Sequence, residues 1–292
     1  MIAELLVAAA MWQTDPPLPV ARSEVAGANW RGYAVVVGGF LADGRSSARV
    51  DAYNPRVQEW VRLPDLPVAV NHPMAAAGGG RLYVFGGYGA GGARRDAYVF
   101  AGTAWTRLPP LPFARAAGGA AFVNNTVYVV GGVGPVGVAR SALAYDVRMR
   151  RWRTLPAPRP LREHLGVTAL RGRVYVVAGR ASGQLFSTVQ RWLPGRRRWE
   201  RLASLPEPRG GTAAGSAGGM VISAGAESSA GTSNAVYAYA PGTNRWRRLP
   251  DLPTARHGLA VIGVDSSIHV IAGGPQPGLS VSPANESLLL TG

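Results

Sequence analysis

RLYVFGG, residues 81–87, decides the fold, because the chain repeats this pattern six times. A short apolar run ends in glycine or alanine followed by glycine at intervals of 45 to 49 residues. These marks are Gly38-Gly39, Gly86-Gly87, Gly131-Gly132, Ala178-Gly179, Ala224-Gly225 and Gly273-Gly274. Tryptophans follow the same period, at Trp12, Trp60, Trp105, Trp152, Trp199 and Trp246. Two independent marks with one period indicate a tandem repeat, and an unbroken repeat over 292 residues predicts a single domain.

Each period contains four short segments that favour strands. In the second period these are MAAAGGG (74–80), RLYVFGG (81–87), DAYVF (96–100) and AWTRLP (104–109), separated by turn signals. No segment has helical spacing, so the sequence predicts an all-β fold of repeated four-stranded sheets. Small residues crowd the first strand, as expected for the strand nearest a common axis.

A second aromatic ring precedes five of the tryptophans by seven residues. These rings are Tyr53, Tyr98, Tyr145, Trp192 and Tyr239. An aromatic side chain buries about 150–250 Å² and can fill the wedge between neighbouring sheets. We therefore interpret the aromatic pairs as core and not as a platform for bases or sugars.

The double glycine, the aromatic seven residues before the tryptophan and the following L-P-x-L-P run resemble kelch repeats over nearly the whole chain. The resemblance implies a six-bladed β-propeller of four-stranded antiparallel blades. The expected blades are residues 20–67, 68–112, 113–160, 161–206, 207–253, and 254–292 together with 11–19. Departures are local, with Ala178 and Ala224 replacing the first glycine and Trp192 replacing tyrosine.

The last period ends before any tryptophan, and MWQTDPPLP (11–19) near the start supplies the missing piece. We expect this N-terminal strand to complete the last blade and remove an open edge. Either ELLVA near the start or SLLL near the end could fill the third strand, and we favour SLLL. MIAELLVAAA is either an atypical signal peptide or a strand. A secreted or periplasmic location is favoured over a cytoplasmic one, without being fixed by the sequence.

Composition limits the function. The formal charge of +15 comes from arginine alone, which indicates a coding bias and no specific nucleic-acid site. Without cysteine there is no thiolate metal site, and the copper radical site of galactose oxidase, which carries a similar propeller, is excluded. No apolar run reaches the ~20 residues of a transmembrane helix. We expect a monomer without cofactor or metal.

An arginine follows the L-P run in five of six periods. The five are Arg22, Arg115, Arg162, Arg209 and Arg256; the second period has Val70 instead, followed by Asn71 and His72. The resemblance implies that these loops share one face around the channel, where the guanidiniums would form an anion pocket. In some kelch adaptor proteins the arginines at the matching positions bind an acidic peptide. The alternative is that each arginine only ties down its own loop by donating to backbone carbonyls.

The same loops contain Glu24, Glu163, His164 and His257, which are candidates for general acid or base chemistry. One bacterial kelch group of similar size interconverts sialic acid anomers. In this chain Glu24, Glu163 or His257 would have to transfer the proton. The second-to-third loops add Arg45, Arg49, Arg94, Arg95 and Arg140 to this face, whereas His269 is expected in the core. The leading hypothesis is a non-enzymatic propeller that binds an acidic peptide or carboxylated sugar. The rivals are a sialate mutarotase-type enzyme and a purely structural interaction propeller.

Overall fold

A computed structural model describes residues 11–290. They form six four-stranded antiparallel sheets, one for each sequence period, around a central channel. This confirms the predicted six-bladed β-propeller. The signal-peptide question at MIAELLVAAA and the candidate strand ELLVA lie outside the described residues.

The strands follow the repeat. In chain order, β1 (Gln13–Thr14) belongs to blade 6, blade 1 contains β2 (Ala26–Trp30), β3 (Tyr33–Val37), β4 (Val50–Asn54) and β5 (Glu59–Leu63), and blade 2 contains β6 (Met74–Gly78), β7 (Arg81–Phe85), the hairpin β8 (Tyr88–Gly89) and β9 (Gly92–Ala93), β10 (Ala97–Phe100) and β11 (Trp105–Arg107). Blade 3 contains β12 (Ala116–Val123), β13 (Thr126–Gly134), β14 (Gly137–Val138), β15 (Ser141–Asp146) and β16 (Arg151–Pro156), and blade 4 contains β17 (Gly166–Leu170), β18 (Arg173–Val177), the hairpin β19 (Arg180–Ala181) and β20 (Gln184–Leu185), β21 (Val189–Leu193) and β22 (Arg198–Arg201). Blade 5 contains β23 (Ala213–Ala217), β24 (Met220–Ser228), β25 (Gly231–Ala240) and β26 (Arg245–Arg248), and β27 (Ala260–Val264), β28 (Ser267–Ile271) and β29 (Asn285–Leu289) belong to blade 6. The only helical segment among residues 11–290 is the single 3₁₀ turn Pro194–Arg196, so no helix there could cross a bilayer.

The first strands of the blades line the channel and contact one another around the ring. Glycines permit this approach. A Cβ added to Gly27 would lie 2.6 Å from the Ala260 Cβ of blade 6, and one added to Gly215 would lie 2.7 Å from the Val261 carbonyl oxygen. The small residues of the first strand therefore let neighbouring blades come together at the hub.

The two ends of the chain close the ring in blade 6. β1 pairs with β29, with Gln13 opposite Ser287, and β29 pairs with β28. The C-terminal segment therefore fills the third strand, as predicted, and the N-terminal strand fills the fourth. This closure leaves no blade open at the seam.

Each tryptophan of the repeat fastens its blade to the preceding one. The indole Nε1–H donates to a backbone carbonyl at the L-P run of the neighbouring blade at 2.8–2.9 Å. The pairs are Trp12 to Pro250, Trp60 to Pro16, Trp105 to Pro64, Trp152 to Pro109, Trp199 to Pro156 and Trp246 to Ala203. These interblade tryptophan bonds run once around the whole propeller.

The aromatic pairs are core, with one correction. Tyr53 and Trp60, for example, pack with ring centroids 5.1 Å apart, and Tyr53 is fully buried. In blade 2 the partner of Trp105 is Phe100, at 5.2 Å, and not Tyr98. The reason is the hairpin between β10 and β11, which is two residues shorter than in blade 1 and changes which residue lies opposite the tryptophan.

The ring closure gives a testable prediction. Trp12→Ala removes both the packing and the hydrogen bond that join the N-terminal strand to blade 5, so we expect a loss of about 3 kcal/mol in the free energy of unfolding. Trp12→Phe keeps most of the packing and should cost only about 1 kcal/mol. Urea unfolding of the two variants measures both effects. Equal stability of Trp12→Ala and the wild type would contradict closure through this strand.

Candidate functional site

The repeat arginines hold the loops and do not line the channel. All five have a relative exposure of 2% or less, and none is among the residues that line the channel mouth. The expectation that guanidiniums form a ring at the channel opening is therefore wrong for all five arginines, which are Arg22, Arg115, Arg162, Arg209 and Arg256.

Four of these arginines point into their own blades. Arg22 donates to the carbonyl oxygens of Gly38 (3.0 Å) and Arg49 (2.7 Å) and pairs with the buried Asp51 carboxylate. Arg256 donates to the carbonyl of Val270 at 3.1 Å. A guanidinium carries several donors, so one buried arginine can bind carbonyl oxygens of two neighbouring segments, as Arg22 does.

The acceptors differ from blade to blade. Arg256 also pairs with the Glu286 carboxylate at 2.8 Å. Arg162 donates to the Pro160 carbonyl at 2.8 Å and to the Gln190 amide oxygen at 3.2 Å, and Arg209 donates to the Ala235 carbonyl at 3.1 Å. The same buried arginine therefore supports the loop in these four blades, although its hydrogen-bond acceptors differ from one blade to the next.

Arg115 is the exception. Nε is buried without a hydrogen-bond partner in all five arginines, but in Arg115 the buried Nη1 also has no partner among residues 11–290. Burial lowers the pKa of Arg115 to about 10, so the guanidinium remains charged at neutral pH. Because a buried, uncompensated cation is costly, Arg115 lacks the stabilisation that the other four arginines receive from their acceptors.

The channel mouth is formed by the residue two positions after each arginine site. All six of these residues have φ between +48° and +65°, and all six line the mouth. They are Glu24, His72, Ala117, His164, Gly211 and Gly258. Backbone hydrogen bonds link several of them across the blades, such as His72 N–H to the Glu24 carbonyl at 2.8 Å. This six-residue mouth ring brings together residues that are far apart in sequence.

Polar side chains form a closed cycle on this ring. The Glu24 carboxylate lies 3.1 Å from His72 Nε2 and 3.1 Å from His257 Nδ1. His72 Nε2 lies 3.0 Å from His164 Nε2, and His164 contacts the Glu163 carboxylate. A Cβ at Gly258 would lie 2.6 Å from a Glu24 carboxylate oxygen, so this glycine leaves the space that Glu24 occupies.

Arg180 and Glu227 complete the cycle. Arg180 lies 3.2 Å from Glu163 and 2.6 Å from Glu227, and Glu227 lies 3.3 Å from His257 Nδ1. The sequence analysis missed both residues, because Arg180 in β19 and Glu227 in β24 belong to no residue pattern that recurs in the other blades. Their position just after the glycine marks of blades 4 and 5 is the signal that could have found them.

The environment sets the protonation states. Burial lowers the pKa of His72, and it lowers the pKa of His164 to about 3, so both imidazoles are neutral at neutral pH. Burial opposes charge on Glu24, but the hydrogen bond from His257 lowers its pKa. Burial likewise opposes charge on His257, yet the Glu24 and Glu227 carboxylates raise its pKa.

The structure also shows where the other residues singled out in the sequence lie. Asn71 lies beside the mouth ring, where its Oδ1 is 2.6 Å from His72 Nδ1, whereas Val70 is buried in the core. His269 lies buried in blade 6 against Tyr53, with ring centroids 5.8 Å apart, as expected of a core residue. Of the predicted acid–base candidates, Glu24, Glu163, His164 and His257 all belong to the one cycle.

Because the arginines differ in their hydrogen-bond partners, we expect their removal to lower the free energy of unfolding by different amounts. Arg256→Ala leaves the Glu286 carboxylate buried without its cation, so we expect a loss of about 3–5 kcal/mol in the free energy of unfolding. Arg115→Ala removes a cation that has no acidic partner and should change stability by about 1 kcal/mol or less. Denaturant unfolding of both variants tests this difference. Similar losses for the two would show that the arginines do not act as described.

Comparison with known proteins agrees with the architecture. A family model described as Kelch motif matches residues 21–67, 114–159 and 161–206, which include three of the six tryptophans of the repeat. No significant match is found among curated proteins. The matched segments are three blades of a closed six-bladed ring with the same tryptophan mark in every blade, so the chain carries kelch motifs and folds as a six-bladed β-propeller.

Proposed function

We propose that this chain is a non-enzymatic binding propeller that recognises an acidic segment of a partner protein beside Arg115. Kelch propellers are generally protein-interaction domains. The proposed site is on the face of the channel mouth, but it lies over blade 3 and not at the channel itself.

A surface groove of about 470 Å³ lies next to Arg115. Its walls come from the loop before β12, with Phe113, and from the turn between β13 and β14, with Val136. Phe113 is 56% exposed and Val136 is 94% exposed. Large apolar side chains held in solvent around a groove are typical of a site that buries an apolar group of a partner.

The observation that carries the proposal is the buried Arg115 guanidinium, which lines this groove without a partner for Nε and Nη1 among the described residues. Arg95 and Arg140 stand exposed on the same groove, and no acidic side chain is among the lining residues of the described chain. A carboxylate entering the groove would give Arg115 a charge-assisted hydrogen bond.

The lining favours a peptide over a carboxylated sugar. Phe113, Pro135 and Val136 offer apolar contacts, whereas a sugar needs many hydrogen-bonding groups for its hydroxyls. An extended segment with an apolar residue beside glutamate or aspartate matches both features of the groove.

The proposal predicts charge-dependent peptide binding. Short fluorescent peptides with one leucine flanked by glutamates should bind, and the same peptides with glutamines should bind at least about 10-fold more weakly. Arg115→Gln should weaken binding by a similar factor, and Arg148→Gln, an exposed arginine on the opposite rim, should not. Fluorescence anisotropy measures the affinities. Equal binding of the two peptides, or binding only of sialic acid in the same assay, would overturn the proposal.

A second candidate function is the acid–base chemistry of a sialate mutarotase-type enzyme. Its support is the position of His257 between two carboxylates, 3.1 Å from Glu24 and 3.3 Å from Glu227, of which Glu24 lines the channel mouth. Such imidazole–carboxylate pairs move protons between ring oxygens and water.

This candidate predicts that the purified protein accelerates the interconversion of sialic acid anomers, as followed by proton NMR. Glu24→Gln should remove the acceleration because His257 loses its hydrogen-bonded carboxylate, and Arg148→Gln should retain it. No acceleration by the wild type would exclude the candidate and leave the peptide site untouched.

A further inference from the structure

The mouth ring contains three functional side chains on a backbone that favours glycine. Glu24 and His72 have φ of +50°, and His164 has φ of +48°. This conformation costs a residue with a side chain about 1 kcal/mol or more, and two of the six ring positions are indeed glycine. Strain of this kind persists where the side chains have a use.

The three side chains bring their ligand atoms to one point. Glu24 Oε2 and His72 Nε2 are 3.1 Å apart, the two histidine Nε2 atoms are 3.0 Å apart, and Glu24 Oε2 and His164 Nε2 are 3.9 Å apart. Atoms with these separations share a common point about 2.0 Å from each of them, and this is the usual bond length from zinc to an imidazole nitrogen or a carboxylate oxygen.

The second nitrogen of each imidazole is already engaged. His72 Nδ1 lies 2.6 Å from the Asn71 amide oxygen, whose own amide donates to Ser46, and His164 Nδ1 contacts the Glu163 carboxylate. A proton on each Nδ1 would leave the two Nε2 lone pairs facing one another and a carboxylate. Metal-binding histidines are held in this same way by a hydrogen bond to an oxygen on the far side of the ring.

We propose that Glu24, His72 and His164 bind one divalent transition-metal ion, such as Zn²⁺, at the channel mouth. Two imidazoles and one carboxylate suit such ions better than Ca²⁺ or Mg²⁺, which prefer oxygen ligands alone. Three protein ligands would leave at least one coordination position for water or a small ligand. This inference is independent of the peptide site beside Arg115.

The neighbouring group of Glu24, Glu227 and His257 is not the site. His257 Nε2 lies 3.0 Å from the Gln276 carbonyl and donates to it, while Nδ1 faces two carboxylates. A proton on Nδ1 satisfies all three groups. In the pair of histidines, by contrast, His72 Nε2 lies 3.0 Å from His164 Nε2 and 3.1 Å from the Glu24 carboxylate.

The backbone offers a matched set of variants for the test. His72→Asn and His164→Asn each remove one ligand, and asparagine tolerates positive φ, so these variants should fold. Ala117→Gly changes a third position of the mouth ring, with φ of +55°, but leaves all three ligands in place. Tag-free protein is first stripped with a chelator, then titrated with Co²⁺ by visible absorption and with Zn²⁺ by calorimetry.

The wild type and Ala117→Gly should bind one ion per chain with the same affinity, and the ion should raise their melting temperatures. His72→Asn and His164→Asn should bind at least about 100-fold more weakly and show no such rise. Circular dichroism confirms that both variants are folded. No binding by the wild type, or unchanged stoichiometry and affinity in the asparagine variants, would overturn the proposal.

Discussion

The fold depends on one hydrogen bond made six times, from the indole N–H of a fourth strand to a carbonyl of the preceding blade. Each bond contributes on the order of 1 kcal/mol, but together they fix how every blade is rotated against its neighbour. The first strands can then approach closely at the hub, where Gly27 and Gly215 leave no room for a side chain. The bond from Trp12 to Pro250 belongs to the N-terminal strand, so the same interaction also closes the ring.

Within each repeat, loop support and channel lining belong to two different residues, which the sequence pattern alone does not distinguish. The buried arginine binds strand-end carbonyls and keeps its loop in place, and the residue two positions later faces the channel. In blades 1, 4, 5 and 6 the arginine supports the loop, and the residue at the second position can vary; blade 2 has Val70 at the arginine position, and in blade 3 the Arg115 side chain has no hydrogen bond among the described residues. Blades 5 and 6 use glycine there, whereas blades 1, 2 and 4 present Glu24, His72 and His164. The result is a rigid frame with a variable mouth ring.

The period predicted the blade number, the closure by Trp12 and the buried aromatic rings, because each follows from spacing and residue type. It did not predict that Phe100 would replace Tyr98 as the partner of Trp105, since that depends on the length of one hairpin. It also left open where the arginines point. Their acceptors, such as Asp51 and Glu286, lie on the third strands and have no common residue type, so no pattern reveals them. Glu24, Glu163, His164 and His257 were candidates from the sequence, and their meeting in one cycle follows only from the closed ring.

The most direct test of this account is the protonation of three histidine rings, those of His72, His164 and His257, measured by proton–nitrogen NMR correlation on metal-free protein at neutral pH. The account predicts that His72 and His164 are neutral, with the proton on Nδ1 and a bare Nε2, and that His257 is protonated on both nitrogens. Solvent-averaged shifts for His72 and His164, typical of exposed imidazoles, would contradict the claim that the propeller brings these distant side chains together at the channel mouth.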